Sequence, residues 1–514
     1  MTAFIDARTL PDGTTLTPDL AIIGGGPAGI SLALALKDSP YSILILEGGG
    51  QEFDPKSQAL YKGALSGERY VPLDQCRLRQ LGGSSNHWGG YCRPLDAIDF
   101  EERSWVPNSG WPFGIEALRP YFPRAQALVE AGPWIYDDMA RHLGSADGKV
   151  MPLARGGVYT SFFQFSKMQG DTHATYFGQR YGSDLKAAPR IATWLNAGVT
   201  SVKLAHDAQR VEQLGVATLD GKRFTVKPRV TVLAGGAMEN ARLLLASNDV
   251  MMAGVGNQND LVGRFFADHP IPRDVATLVV FGGAAPAIYN NSQDPSNSAT
   301  MLADGTPVRA VFSPTQDFIR RQHLLGSLTT VENSVKLDEA GIAAVVATAQ
   351  ALGVDASNAQ AYSLGVGLEM TPDPERRLTL TGDRDALGMP RLSLKTTQPQ
   401  GDFLLYQKVL EELGRQLLAS KTGMLRLNYH DRDGWMHGMT AQKQLWWGNH
   451  HLGTTRMNVD PKKGVVDADS KVHGVANLFV AGSSVFPTYG SSNPTMNLLA
   501  LTLRLAEHLK TVLT

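Results

Sequence analysis

The sequence predicts an α/β chain with an α+β second part: a Rossmann-like dinucleotide-binding domain, and a second domain built on an antiparallel sheet. Three observations carry this. A glycine-rich turn, Gly24 to Gly29, lies between two short apolar runs. A second strand, glycine turn and helix follow at Arg229–Ser247, behind a series of short alternating segments. Far downstream, Leu378–Thr381 and Arg391–Leu394 alternate around a turn bearing Gly and Pro. The first two are the signature of strands alternating with helices, and the third of an antiparallel pair.

Taken in order, Leu20–Ile23 is the short apolar run that a buried parallel strand needs. Gly24, Gly26 and Gly29 then fit G-x-G-x-x-G. The first glycine permits the turn, the second lets backbone approach a pyrophosphate, and the third lets helix pack on strand. Pro27 suits a helix's first turn, where its missing N–H has no partner to lose. Ser42–Leu46 is the next strand and ends on Glu47, whose carboxylate can accept both hydroxyls of an adenosine ribose. FAD and NAD both fit this segment. The alternating run before Arg229 reads as a small β-meander inserted in a dinucleotide fold, the habit of FAD-binding disulfide-reductase-like folds, and it favours FAD.

Composition excludes several classes. In 514 residues, Lys+Arg 48 balance Asp+Glu 49, so no basic excess is present to condense on nucleic acid. The polar N-terminus does not read as a secretory signal, and no apolar run is long enough to span a bilayer; Gly341–Val354 comes closest. The two cysteines, Cys76 and Cys92, cannot hold a four-thiolate cluster or a structural zinc, and both read as free thiols. No metal is expected.

"LRQLGGSSNHWGGYCRP" brackets Ser84, Ser85, Asn86, His87 and Trp88 with glycine pairs, so its backbone must approach something closely. Together with "LAGGAMENARLLLAS", "VGRFFADHP", "NHHLGTTRM" and "NLFVAGSSVFPTYGSSNPTMN", it resembles the glucose–methanol–choline (GMC) oxidoreductase family. Within that family it is nearest the branch of pyranose oxidases and sugar or glycoside dehydrogenases. The likeness runs in order from about Asp19 to the C-terminus.

The resemblance implies that Gly83, Ser84, Asn86, His87 and Trp88 lie along FAD, with His87 the place where some relatives bond the flavin covalently and others do not. It implies pyrophosphate contacts from Gly482 and Ser483, and a helix opening at Pro494 and Thr495 that points at the flavin; Val202 joins the same cofactor set. Counting back from the Gly453-Thr454 turn selects His450 as the catalytic histidine, with Asn493 its partner. The implied reaction is removal of a hydroxyl proton by His450 and passage of hydride to flavin N5. His451 is expected to point the opposite way along an extended chain, as a support residue or a substrate contact. His269 reads as structural. Glu369 either binds a substrate hydroxyl or, the favoured reading, faces solvent from a strand.

The expected cofactor domain comprises residues 1–98, 188–270 and 446–514, and the substrate domain residues 99–187 and 271–445, an antiparallel sheet roofing the flavin that includes the Leu378–Thr381 and Arg391–Leu394 strands. The expected substrate is a secondary hydroxyl of a sugar or glycoside. A primary alcohol, aromatic or on an aminoglycoside, and a hydroxynitrile-lyase-like reaction on the same fold are the alternatives. Oxygen, a quinone or a cytochrome subunit would reoxidise the flavin. A cytoplasmic location is expected, with co-export beside a partner subunit as the other route.

Overall fold

The computed structural model describes residues 3–136, 143, 150–166, 174–289, 300–397, 400–428 and 445–514. Six strands form a parallel sheet in the order Ala3–Asp6, Ile191–Leu195, Ile43–Leu46, Leu20–Ile23, Val230–Leu233, Leu478–Val480. The last five are buried along their whole length, because helices and chain cover both faces. Such strands need continuous apolar runs rather than alternation. Since they are parallel, Leu20–Ile23, Val230–Leu233 and Leu478–Val480 all end on one edge, and each is followed there by glycine: Gly24, Gly235 and Gly482. Ligands of open α/β sheets bind beyond that carboxyl edge.

The expected meander is present. Gly198–Leu204, Val211–Ala217 and Arg223–Val226 run antiparallel, and Thr15–Leu16 joins in parallel. Pairing steps from Gly215↔Ser201 to Val216↔Val199, so Thr200 is an extra, bulged residue.

A large antiparallel sheet holds, in order, Gly423–Leu427, Ala276–Val280, Gln360–Leu368, Ser327–Val335, Pro307–Pro314, Val158–Phe165 and Tyr91–Cys92, with Thr300–Met301 beside Pro307–Pro314. The helix Gln400–Ala419 presents Phe403, Tyr406, Leu410, Leu413 and Leu417 at helical spacing, and these join Leu278, Phe312 and Leu364 in one buried cluster.

The strand pair expected within that sheet lies elsewhere. Arg377–Arg384 and Pro390–Thr396 pair with each other, and Pro390–Thr396 pairs in parallel with Ala64–Gly67. Leu378, Leu392 and Leu394 pack in the cluster that surrounds the parallel sheet. Alternation specified the strands but not their partner. Among the described residues, no helix is long and apolar enough to cross a membrane. The apolar stretch from Gly341 lies on the helix Glu339–Leu352, begun by the Asp338 carboxylate accepting Gly341 N–H and ended by Gly353 in the left-handed region.

Candidate active site

Beyond the carboxyl edge of the parallel sheet lies a cleft of about 400 Å³. Three helices begin at it: Pro27–Ala35, Gly236–Ala246 and Pro494–Val512. Their N-cap residues are Gly26, Gly235 and Asn493, and no side chain caps any of the three. Gly26 and Gly235 have no side chain to offer, and the Asn493 amide is turned to His450 instead. Free N–H groups and the positive dipole ends therefore gather at one opening, an arrangement suited to an anionic or electron-rich ligand. Each glycine of the fingerprint has a distinct constraint. A Cβ on Gly24 would meet the Ala234 carbonyl, one on Gly29 would land on the Gly24 carbonyl oxygen, and one on Gly26 would meet nothing, since it faces the opening.

Glu47 lines the same cleft, with its carboxylate accepting Gly25 N–H and Gly49 N–H, each at 2.7 Å. Two amides fix its orientation and leave lone pairs directed into the cleft. Gly83, Ser84, His87, Trp88, Gly482, Ser483, Pro494 and Thr495 line it too.

Three expected members do not line it: Gly29, buried against the Gly24 carbonyl, Val202 and Asn86. Val202 is fully buried, and its N–H is bonded to Ser247 Oγ at 2.8 Å. Val199, three residues earlier on the same strand, lines the cleft instead. Asn86 turns back to donate to the Leu81 carbonyl at 2.9 Å, so its part is to hold the loop's shape. Trp88 is likewise pinned, by Nε1–H to the Thr175 carbonyl at 3.0 Å.

The two adjacent histidines separate. Asn449, in the left-handed region, and the bare Gly448, where a Cβ would meet His450 Nδ1 at 2.6 Å, let the chain turn. His450 Nε2 accepts from Asn493 Nδ2 at 3.1 Å, and His450 Nδ1 lies 2.9 Å from His269 Nδ1. His451 faces the other way, toward Tyr70 and Phe266. Both line the cleft. Burial holds the His450 pKa well below the usual range, helped by its His269 and His451 neighbours, and burial pushes His451 down to about 3. Both are neutral in the resting protein. His87, also lowered by burial, is neutral as well.

Behind His450, beside the His269 read as structural, sit Asp268 and Tyr70, which the sequence did not single out. Asp268 Oδ1 accepts the backbone N–H of both His269 and His450 at 2.7 Å, and Oδ2 accepts the Tyr70 hydroxyl at 2.5 Å. Burial raises Asp268 to about 6. The donor atoms of Asp268, His269 and His450 lie within 4.8 Å of one another, a metal-like spacing, yet these hydrogen bonds already occupy them.

Glu369 neither reaches the cleft nor faces solvent. It is wholly buried and forms a two-pronged ion pair with Arg103, at 2.6 and 2.9 Å, while also accepting Gly326 N–H at 2.8 Å. Its partner lies 266 residues away, on a segment with no motif to mark it. Arg77, Arg79 and the start of the Gly236–Ala246 helix line the cleft without having been singled out as contacts; only the second glycine turn hinted at the last.

A family model described as GMC oxidoreductase matches residues 372–502. The chain is 23% identical to the fructose dehydrogenase large subunit of Gluconobacter japonicus, over 96% of this chain and 98% of that one. Over residues 372–502 the chain thus resembles the GMC oxidoreductases. It is also 24% identical to the paromamine 6'-oxidase of Streptomyces fradiae, over 95% of this chain and 90% of the other. Among solved structures, pyridoxine 4-oxidase from Mesorbium loti superposes with a TM-score of 0.60 at 18% identity, covering 96% of this chain and 99% of that one. A formate oxidase gives 0.59 at 17%, covering 98% and 99%. These share its fold. The chain is an oxidoreductase acting on CH–OH groups, and the uncapped helix starts, the bare Gly26 and the oriented Glu47 carboxylate suit the pyrophosphate and ribose of FAD.

Proposed function

We propose that this oxidoreductase oxidises a secondary hydroxyl of a sugar or glycoside to the ketone, with His450 as general base and Asn493 as its partner. The observation that carries the reading is one polar pair at the mouth of the flavin cleft, His450 Nε2 and Asn493 Nδ2 at 3.1 Å. Neutral His450 takes the hydroxyl proton at Nε2. The alkoxide oxygen is then held between the Asn493 amide and the new imidazolium. FAD supplies the hydride acceptor for the carbinol carbon. Gly24, Gly26 and Gly482 would give backbone access to its pyrophosphate and Glu47 would hold its ribose. The Pro494–Val512 helix start, with Thr495 N–H, would offer positive charge to the bound flavin.

The sugar substrate rests on the likeness to fructose dehydrogenase and on a C-glycoside 3-oxidase of Microbacterium trichothecenolyticum, 27% identical over 57% of this chain. A primary hydroxyl on an aminoglycoside is the second reading, favoured by the paromamine 6'-oxidase likeness. His87 is the side chain through which the flavin would be bonded covalently, and acid precipitation tests this: yellow pellet supports the bond, yellow supernatant removes it.

The test of substrate is the flavin spectrum recorded without oxygen before and after glycosides, aminoglycosides and benzylic alcohols. Bleaching by a glycoside supports the reading, and admitting air then separates oxygen from another acceptor. Bleaching by the aminoglycoside alone transfers it to the second reading. A spectrum unmoved by all three overturns both.

A further inference from the structure

The base assignment leaves open what puts the lone pair of His450 on the nitrogen facing the cleft. A neutral imidazole carries one proton, and on Nε2 that proton would leave no base there. The hydrogen bonds behind the ring decide it. His269 Nε2 lies 3.0 Å from the Gly490 carbonyl oxygen, which can only accept, so Nε2 carries the proton of His269. Burial keeps that ring neutral, with its pKa pushed down to about 4, and its Nδ1 is therefore an acceptor. At 2.9 Å the facing atom, His450 Nδ1, must donate.

We propose that His269 is a positioning residue that holds His450 as its Nδ1–H tautomer and so keeps Nε2, the atom facing Asn493 and the cleft, unprotonated. This rests on the reading of His450 as general base. The parts around it are built to hold that direction. The backbone N–H groups of His269 and His450 share one oxygen of Asp268, which fixes the two rings relative to each other. Gly490 is fixed in turn. A Cβ there would meet the Asp99 carboxylate, its φ is +51°, and its N–H is held by Glu369, itself locked to Arg103. When His450 gains the substrate proton, its Nδ1–H remains shared with a neutral acceptor, and no second cation forms in the buried corner.

Two variants and a spectroscopic signature test this on the flavin-loaded protein. His269→Leu removes the acceptor. His269→Asn returns an oxygen close to the lost Nδ1, although it cannot reach Gly490. In ¹⁵N-histidine-labelled protein, with His450→Ala used to assign the signals, the wild type should show His450 protonated at Nδ1 and bare at Nε2. The Leu variant should show a mixture of tautomers and the Asn variant the wild-type form. Flavin reduction in a single turnover should fall about 100-fold in the Leu variant and recover to within about tenfold in the Asn variant, within the span that general-base catalysis contributes. A wild-type His450 protonated at Nε2 overturns the proposal, as does an Asn variant as slow as the Leu variant while folded and flavin-loaded. If the Leu variant does not fold, the wild-type and Asn spectra decide. Tautomers that shift as expected beside an unchanged reduction rate would uphold His269's role and remove the base assignment instead, so the two failures are told apart.

Discussion

Glu47 finds its amide partner on Gly25, 22 residues away, whereas His450 finds His269 at 181 residues and Glu369 finds Arg103 at 266. The nucleotide cradle is thus a local construction: one strand, one turn, one helix and the next strand set its first half, and spacing along the chain specifies it. The corner around His450 is assembled from Asp268 and His269, the Gly448–His451 segment, Gly490 and the Asn493 cap, with Glu369 behind it at the end of an antiparallel strand. A local motif fails when its own backbone is obstructed. A corner of distant parts fails when any support behind it is removed.

That contrast can be broken or sharpened at four places. Gly29→Ala acts on the cradle and should be the most severe change, because its Cβ would land on the Gly24 carbonyl oxygen, and backbone cannot yield as a side chain can. We expect a loss of more than about 4 kcal/mol, read as a collapse of the melting temperature with no flavin retained. Glu369→Leu acts on the corner from behind. It strands the buried Arg103 guanidinium, and stability should fall by about 3–5 kcal/mol in denaturant titrations, most of it returning in the Arg103→Leu/Glu369→Leu double variant.

The third place is the buried histidine itself. His269 has its pKa lowered from 6.5 to about 4, so the unfolded chain takes up a proton that the folded protein refuses. Its contribution is fully present above about pH 6.5 and is lost as pH falls toward 4. The His269→Asn variant should therefore lose about 3 kcal/mol less than the wild type across that window in paired stability measurements. Smallest in energy is Asn493→Ala, which should slow flavin reduction about 100-fold, roughly 2.7 kcal/mol, while leaving the melting temperature near that of wild type. A large drop in melting temperature there would move Asn493 from the chemistry to the scaffold.

Much of the cradle was legible because its physics is contiguous. The glycines, Pro27 and Glu47 stand where the fingerprint puts them, and the meander showed itself by alternation. Where legibility failed, a partner was distant or a regular period was broken. Alternation at Leu378–Thr381 announced a strand, but its sheet is completed by Ala64–Gly67, and nothing in a strand's own sequence names its neighbour. Val199 holds the place expected of Val202, whose N–H is instead bonded to the distant Ser247. His269 read as scaffold because a histidine beside Asp and Pro carries no sign of the ring it will face. The split between His450 and His451 was foreseen from strand alternation, whereas the chain makes it with a left-handed Asn449 and a bare Gly448.

The most direct test of His450 as the base is anaerobic stopped-flow reduction of the bound flavin, by a glycoside that bleaches the wild type, in wild type and His450→Ala side by side. With flavin content unchanged, reduction in the variant should slow by about 10³- to 10⁴-fold, the upper part of what a general base contributes. A variant that bleaches at the wild-type rate would contradict the assignment and place the proton's acceptor elsewhere in the cleft.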